Sequence, residues 1–210
     1  MFLLTQPSSQ VIREFIAKER DSPFSYAAVG ATNSVPPPEY TLDHNRVQLG
    51  LGNSVYELAV EALRRWRQFD LGWVKIVPPG SRIEVGTTVA VQARTFGFWS
   101  LSACRIVYLL SDEGPIKRFG FAYGTLVDHV ESGEERFTIE WHREDNSVWY
   151  DILAFSRPRH PLVRTAFPLA RMLQKRFVRD SLSVMTSAVE VKETPLILER
   201  RTNIKNMDST

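Results

Sequence analysis

The sequence predicts an α+β fold in which a curved antiparallel sheet of about seven strands grips one long C-terminal helix. Three observations predict it. Pro161 to Val189 reads as one amphipathic helix, with Leu162, Ala166, Leu169, Ala170, Leu173, Phe177, Val184 and Ala188 on a single stripe at 3.6 residues per turn. Six apolar runs precede it, joined by short turn-forming segments, the mark of an antiparallel meander. A strand and a helix come before the meander. Burying the larger side chains of the stripe is worth roughly 1.5–3 kcal/mol each. That sum rivals the net stability of a whole domain, about 5–15 kcal/mol, so the helix must dock.

Composition is compatible with this. The chain has 210 residues, 43% of them hydrophobic and 11% aromatic, enough for one domain with a real core. Twenty-six basic residues balance 24 acidic ones, so no global basic field marks a nucleic-acid binder. The lone Cys104 excludes an internal disulfide and a cysteine zinc site. The N-terminal MFLLTQPSS carries no basic stretch and only four consecutive apolar residues, too few for a signal peptide or a membrane span. These features imply a soluble cytoplasmic protein without integral membrane contact.

In chain order, Val11, Ile12, Phe15 and Ile16 give a modest helix over Ser9–Arg20, which Ser22-Pro23 ends. Residues 23–39, with Gly30, Asn33 and Pro36-Pro37-Pro38, read as an extended connector covering another part of the molecule. Tyr40–Leu49 is the first strand. Val55, Leu58, Ala59, Ala62, Leu63, Trp66 and Phe69 form the next helix, with Ser54 and Glu57 as a capping box and Gly72 as its stop. Strands then follow at Trp73–Val77, Thr87–Thr95, Leu101–Leu110, Lys117–Leu126, Arg136–His142 and Val148–Phe155. In two of them alternation is clean: Phe119, Phe121 and Tyr123 share one face, as do Phe137, Ile139 and Trp141. The chain thus divides into an N-terminal helix and arm (1–39), a main domain (40–190) and a polar tail (191–210).

This order fits the helix-grip architecture, that of lipid-transfer START domains, polyketide cyclases and the birch-pollen allergen. A hotdog-like fold, in which the sheet wraps the first helix, is the alternative, but it gives the C-terminal helix no standing place. Fold alone assigns no activity.

Several stretches could carry chemistry. Gly50 and Gly52 before a helix suggest a phosphate loop, yet the position of a third fingerprint glycine is Val55 and the context is wrong. His129, Glu131, Glu134 and Glu135 are acid–base or metal ligands by type. In an extended strand Glu134 and Glu135 would point to opposite faces, so the segment reads as a solvated acidic turn, and neither a metal nor a cofactor is implied. Arg94, Arg105, Glu140 and Asp151 are charges inside strands, and Asp180 lies on the apolar stripe of the last helix. An inward charge must be paired, which predicts that Arg105 or Arg94 meets Asp180 or Asp151 between sheet and helix. The alternative places the strand charges on the solvent face of the sheet. Arg164, Arg171, Lys175, Arg176 and Arg179 form a basic face on the helix, read as solvated.

The motifs together resemble a known family. They are Pro23-Phe24-Ser25-Tyr26, Val29-Gly30-Ala31-Thr32, Arg94-x-x-Gly97-x-Trp99, Cys104-Arg105-Ile106-Val107-Tyr108, Arg118-Phe119-Gly120-Phe121-Ala122-Tyr123-Gly124-Thr125-Leu126, Gly133-Glu134-Glu135-x-Phe137, Val148-Trp149-Tyr150-Asp151-Ile152, Ala154-Phe155-Ser156-Arg157-Pro158 and Gln174-x-x-Phe177-x-Arg179-Asp180-Ser181. Over residues 23 to 189 the chain is similar to the family called domain of unknown function 1990, or uncharacterised protein family 0548. The resemblance implies co-membership and brings no catalytic residue, cofactor or substrate.

The functional expectation is a small apolar or amphipathic ligand held in a cavity between the sheet and the C-terminal helix. Its candidate contacts are Arg105, Phe121, Tyr123, Trp141, Tyr150, Asp151 and Asp180, with Arg105 anchoring a polar end. The alternatives are an enzyme in the same cavity, using Asp151, Glu140 or His129 as acid–base, and an interaction module using the basic helix face.

Overall fold

The computed structural model describes residues 1–159 and 167–190. Its elements are β1 (Phe2–Leu3), α1 (Ser9–Glu19), β2 (Thr41–Leu51), α2 (Asn53–Arg64), β3 (Val74–Val77), β4 (Thr88–Thr95), β5 (Phe98–Glu113), β6 (Ile116–Thr125), β7 (Glu131–His142), β8 (Ser147–Pro158) and α3 (Phe167–Val189). The sheet is antiparallel in the order β2-β8-β7-β6-β5-β4-β3, with β1 pairing the start of β5. The architecture is helix-grip.

Alternation sorts the strand residues onto two faces. Val89, Cys104, Ile106, Phe121, Tyr123, Phe137, Ile139, Tyr150 and Ile152 face inward, packed with residues of α2 and the second half of α3. On the outer face α1 lays Phe15 on Val77, Ala90, Leu101, Ala103 and Leu126. The 23–39 connector covers a further part of that face, packing Tyr26 and Ala31 on Phe155 of β8.

The helix after β2 departs from expectation at both ends. Gly52 precedes it with no side-chain cap, and Glu57 instead accepts from Asn53 Nδ2 at 2.7 Å, so the Ser54–Glu57 box does not form. The helix stops at Arg64 rather than running to Gly72. Trp66 takes a left-handed conformation (φ 58°) and a short 3-10 turn carries Arg67–Phe69. That kink turns Phe69 inward, 5.0 Å from the Phe177 ring.

In α3 the buried line runs through Ser181, Met185 and Val189, with Phe177, Leu182 and Ala188 beside it, and Leu169 is exposed. Ala170, Leu173, Phe177 and Ala188 of the predicted stripe thus keep the sheet side, while in the second half Ser181, Met185 and Val189 are buried more deeply than Val184. Leu162, Arg164, Ala166 and the tail 191–210 lie outside the described residues.

The largest revision concerns β7, which begins at Glu131, five residues upstream of the predicted start. Of the expected acidic turn, 128–130 do turn the chain, but 131–135 are strand. Gly133 reads as a turn residue, but its role is close approach: a Cβ there would run into the Phe155 carbonyl oxygen of β8.

Candidate functional site

The inner face of the sheet has two halves. In one, Tyr56 and Leu63 of α2 and Trp66 just after it pack with Phe121, Ile139, Tyr150 and Val148, all of them buried. The aromatic rings of Phe69, Tyr123, Phe137 and Phe177, with centroids 5.0–6.0 Å apart, close this half off. Beyond them the other half is hollow, a cavity of about 1020 Å³ lined by β2, β4, β5, β7, β8 and the first half of α3.

Small side chains leave the space. Val91, Ala93, Ser100, Ser102 and Ala154 line the sheet wall, and Ala170, Leu173, Phe177 and Leu182 form the helix wall. Into this apolar chamber projects Glu135, whose Oε2 accepts from the Tyr123 hydroxyl at 2.8 Å across the β6–β7 pair. Burial, reinforced by the negative charges of Glu131 and Asp43, raises the Glu135 carboxyl to about 7 despite the opposing Tyr123 hydrogen bond. Tyr123 itself is pushed up, chiefly by burial.

A polar cluster sits between β2, β7 and α3. Arg171 donates to Asp43 Oδ2 at 2.5 Å and Oδ1 at 2.7 Å. Gln174 Nε2 donates to both oxygens of Glu131, at 2.8 and 2.9 Å. Burial raises the Glu131 carboxyl. His129, also on the lining, accepts on Nδ1 from the Glu131 backbone N–H at 3.0 Å. Burial lowers this imidazole to about 4, which keeps it neutral near pH 7.

Of the residues expected at the ligand, Tyr123 lines the cavity. Phe121 and Trp141 belong to the filled half, where they pack on Trp66 and Tyr56. Tyr150 is also there, buried and 3.0 Å from Ser181 Oγ. Asp151 is on the outer face, where Arg136 donates to Oδ1 at 3.2 Å and His44 Nε2 lies 2.5 Å from Oδ2. Arg105 is outside as well, donating to Thr88 Oγ1 and to the carbonyls of Glu19 and Arg20 at the end of α1. Arg94 stacks on Trp99.

The expected pairing of Arg105 or Arg94 with Asp180 or Asp151 is therefore not made: strand alternation puts the arginines on the other side of the sheet from α3 and Asp180, and Asp151, on their own side, lies on β8 with β7 and β6 between it and β5. Asp180 sits at the helix edge, accepting from Trp73 Nε1 at 3.0 Å and from Arg179 at 2.8 Å. Burial would raise its carboxyl, but these hydrogen bonds outweigh burial and hold it below the usual range. Glu140 is also outside, 3.0 Å from Arg118. Arg171 does not belong to a solvated basic face, since it turns to Asp43. Lys175, Arg176 and Arg179 are exposed.

Glu134 and Glu135 do part to opposite faces. Glu134 is buried outside, accepting from Tyr26 Oη at 2.7 Å, Gly30 N–H at 2.7 Å, Thr32 N–H at 3.0 Å and the Thr32 hydroxyl. It clasps the arm to the sheet. The four acidic-run candidates do not converge on one point, so they make no metal site together.

Reading residues 131–135 as a turn hid Glu135. The signal was present: Glu135 stands two residues before Phe137 and so shares its face once the strand is extended.

Among the described residues no helix is long and apolar enough to cross a membrane. The family model described as "Domain of unknown function (DUF1990)" matches residues 25–184. A UPF0548 protein of Dictyostelium discoideum is 38% identical over 208 residues, covering 90% of this chain and 96% of that protein. A UPF0548 protein of Deinococcus radiodurans is 34% identical over 202 residues, covering 90% and 98%. Among solved structures, a hypothetical protein from Helicobacter pylori matches with a TM-score of 0.51 at 12% identity, covering 76% of this chain and 94% of that one. That match speaks to fold alone.

Proposed function

The chain belongs to the DUF1990 family, and from that premise we propose that it binds a small apolar or amphipathic molecule in the cavity between the sheet and α3. One observation carries the reading. A chamber of about 1020 Å³ with aliphatic and aromatic walls holds a hydrogen-bonded Tyr123–Glu135 pair at its side. Ligand sites have this make-up, predominantly apolar lining with few convergent polar groups and volumes of about 300–1,000 Å³. Tyr123 and Glu135 orient the ligand's polar end, while Ala93, Leu173 and Phe177 take its apolar body. A single cysteine is compatible with a reducing, cytoplasmic setting.

Titration with the apolar dye Nile red tests this, using wild type and Ala154→Phe. Ala154 stands across from Glu135 on the cavity wall, and a phenyl ring there fills space the ligand needs. Saturable uptake by the wild type, reduced at least tenfold in a variant of unchanged Tm, is expected. Absent uptake, or equal uptake by both, overturns the proposal.

Acid–base catalysis in the same chamber is a second reading. It is favoured by the Glu135 carboxyl standing at about 7, where a group both holds and releases protons near neutral pH. Under this reading Glu135→Gln retains dye binding while turnover of the cavity's natural occupant, recovered by native mass spectrometry, is lost.

A further inference from the structure

We infer that the ligand carries an amine, held as an ammonium ion by the Glu135 carboxylate in the field of Glu131 and Asp43. The inference rests on the cavity reading and specifies its ligand class. Glu135 Oε2 accepts one hydrogen bond, from Tyr123, and Oε1 receives none among the described residues. The charges bearing on it are both negative, Glu131 beside it on β7 and Asp43 on β2. Arg171 is already engaged by both oxygens of Asp43, and Gln174, which is neutral, covers Glu131.

A carboxylate facing an apolar chamber without a cation is costly, and Glu131 on the same strand adds to the cost. A guest ammonium removes it. It donates to the free Oε1, neutralises the cluster and leaves its hydrocarbon against Leu173, Phe177 and Ala93. A carboxylate guest would instead meet the like charges of Glu135 and Glu131, Asp43 being offset by Arg171. The rim offers the opposite chemistry: Lys175 and Arg179 line the cavity edge and are exposed. An anionic head could therefore rest at the mouth in water but not inside, and this competing arrangement has its own outcome below.

The groups bearing on Glu135 are Tyr123 from β6, Cys104 from β5, Tyr150 from β8, Asp43 from β2 and Glu131 from β7, with Gln174 and Arg171 of α3 engaged by Glu131 and Asp43. None of the cysteine or tyrosine side chains ionises near neutrality, because burial pushes all three up. His129 stays neutral above about pH 5. Amine binding therefore follows the carboxyls. Between pH 8 and pH 5.5 protons compete for Glu135, so amine affinity should fall roughly thirtyfold on acidification, from a group titrating at about 7.

The test is displacement of bound Nile red by octylamine, octanol and octanoate, which share a chain length and differ in the head. Octylamine is expected to bind at least tenfold tighter than octanol, with octanoate weakest, and only the amine should show the acid loss. Glu135→Gln should bring octylamine to the level that octanol reaches on the same variant, and an unchanged far-UV circular dichroism spectrum shows the variant is folded. Octylamine no tighter than octanol overturns the amine inference and leaves the cavity reading standing. Octanoate as the tightest binder overturns it in favour of a head at the Lys175–Arg179 rim. Failure of wild type to take up Nile red at all removes the cavity reading and this inference with it.

Discussion

The two halves of the inner sheet face have the same strands behind them and opposite contents. Where α2 lies, large side chains from helix and sheet interlock: Leu63, Phe121, Ile139 and Tyr150 are fully buried. Where α2 has ended, the wall residues are Ala93, Ser100, Ser102 and Ala154, facing an α3 that spans the gap without filling it. A dense run of aromatics marks packed core, and a ligand chamber is marked by small residues opposite an unfilled space. Phe121, Trp141 and Tyr150 look like cavity walls by residue type and are core by position.

The comparison breaks most readily through large-to-small substitution. Phe121→Ala in the filled half is expected to cost about 3–5 kcal/mol, read from urea unfolding. Leu173→Ala, on a wall already lacking neighbours on one side, should cost under about 1.5 kcal/mol. Equal losses would show that the hollow half is packed in solution.

Adjacent carboxylates sharpen the comparison on a smaller scale. Glu134→Ala orphans the buried donors of Tyr26, Gly30 and Thr32 and is expected to cost about 2–4 kcal/mol. It should also raise the protease sensitivity of the arm. Gly124 belongs to the same clasp, because a Cβ there would collide with the Tyr26 ring and hydroxyl.

Glu135→Gln should act in the opposite direction. The Glu135 carboxyl stands at about 7 in the folded chain against an ordinary 4.5. The unfolded chain therefore releases this proton first, and the folded state loses stability as pH rises from about 4.5 to 7, then holds level. Removing the charge should stabilise the protein by about 1–3 kcal/mol at pH 8 and by little at pH 4.5. Denaturant midpoints of both proteins across that range check the sign. A variant less stable than wild type at pH 8 would mean that Glu135 is paired rather than isolated.

Local pattern made most of the fold legible. Period-2 runs bounded by turn residues located β3 to β8, and 3.6-residue spacing located α1, α2 and α3. The same alternation, applied to neighbours, separates Asp151 from Tyr150 and Arg105 from Cys104, since adjacent strand residues cannot face one chamber. The predicted Arg105–Asp180 pair joined residues that this rule keeps apart. The candidate site was less legible because Gly133 interrupts β7 on the page but not in space, where it is required by the Phe155 backbone of a strand far along the chain.

The sequence by itself determined an antiparallel meander under a docked C-terminal helix, because hydrophobic periodicity is a local property that burial converts directly into elements. Only the tertiary structure decided that α2 ends at Arg64, that the inner face is therefore half filled, and that Glu135 is left with Tyr123 in the empty half. Those outcomes depend on how far one element reaches across others distant in sequence, and no local spacing encodes that reach.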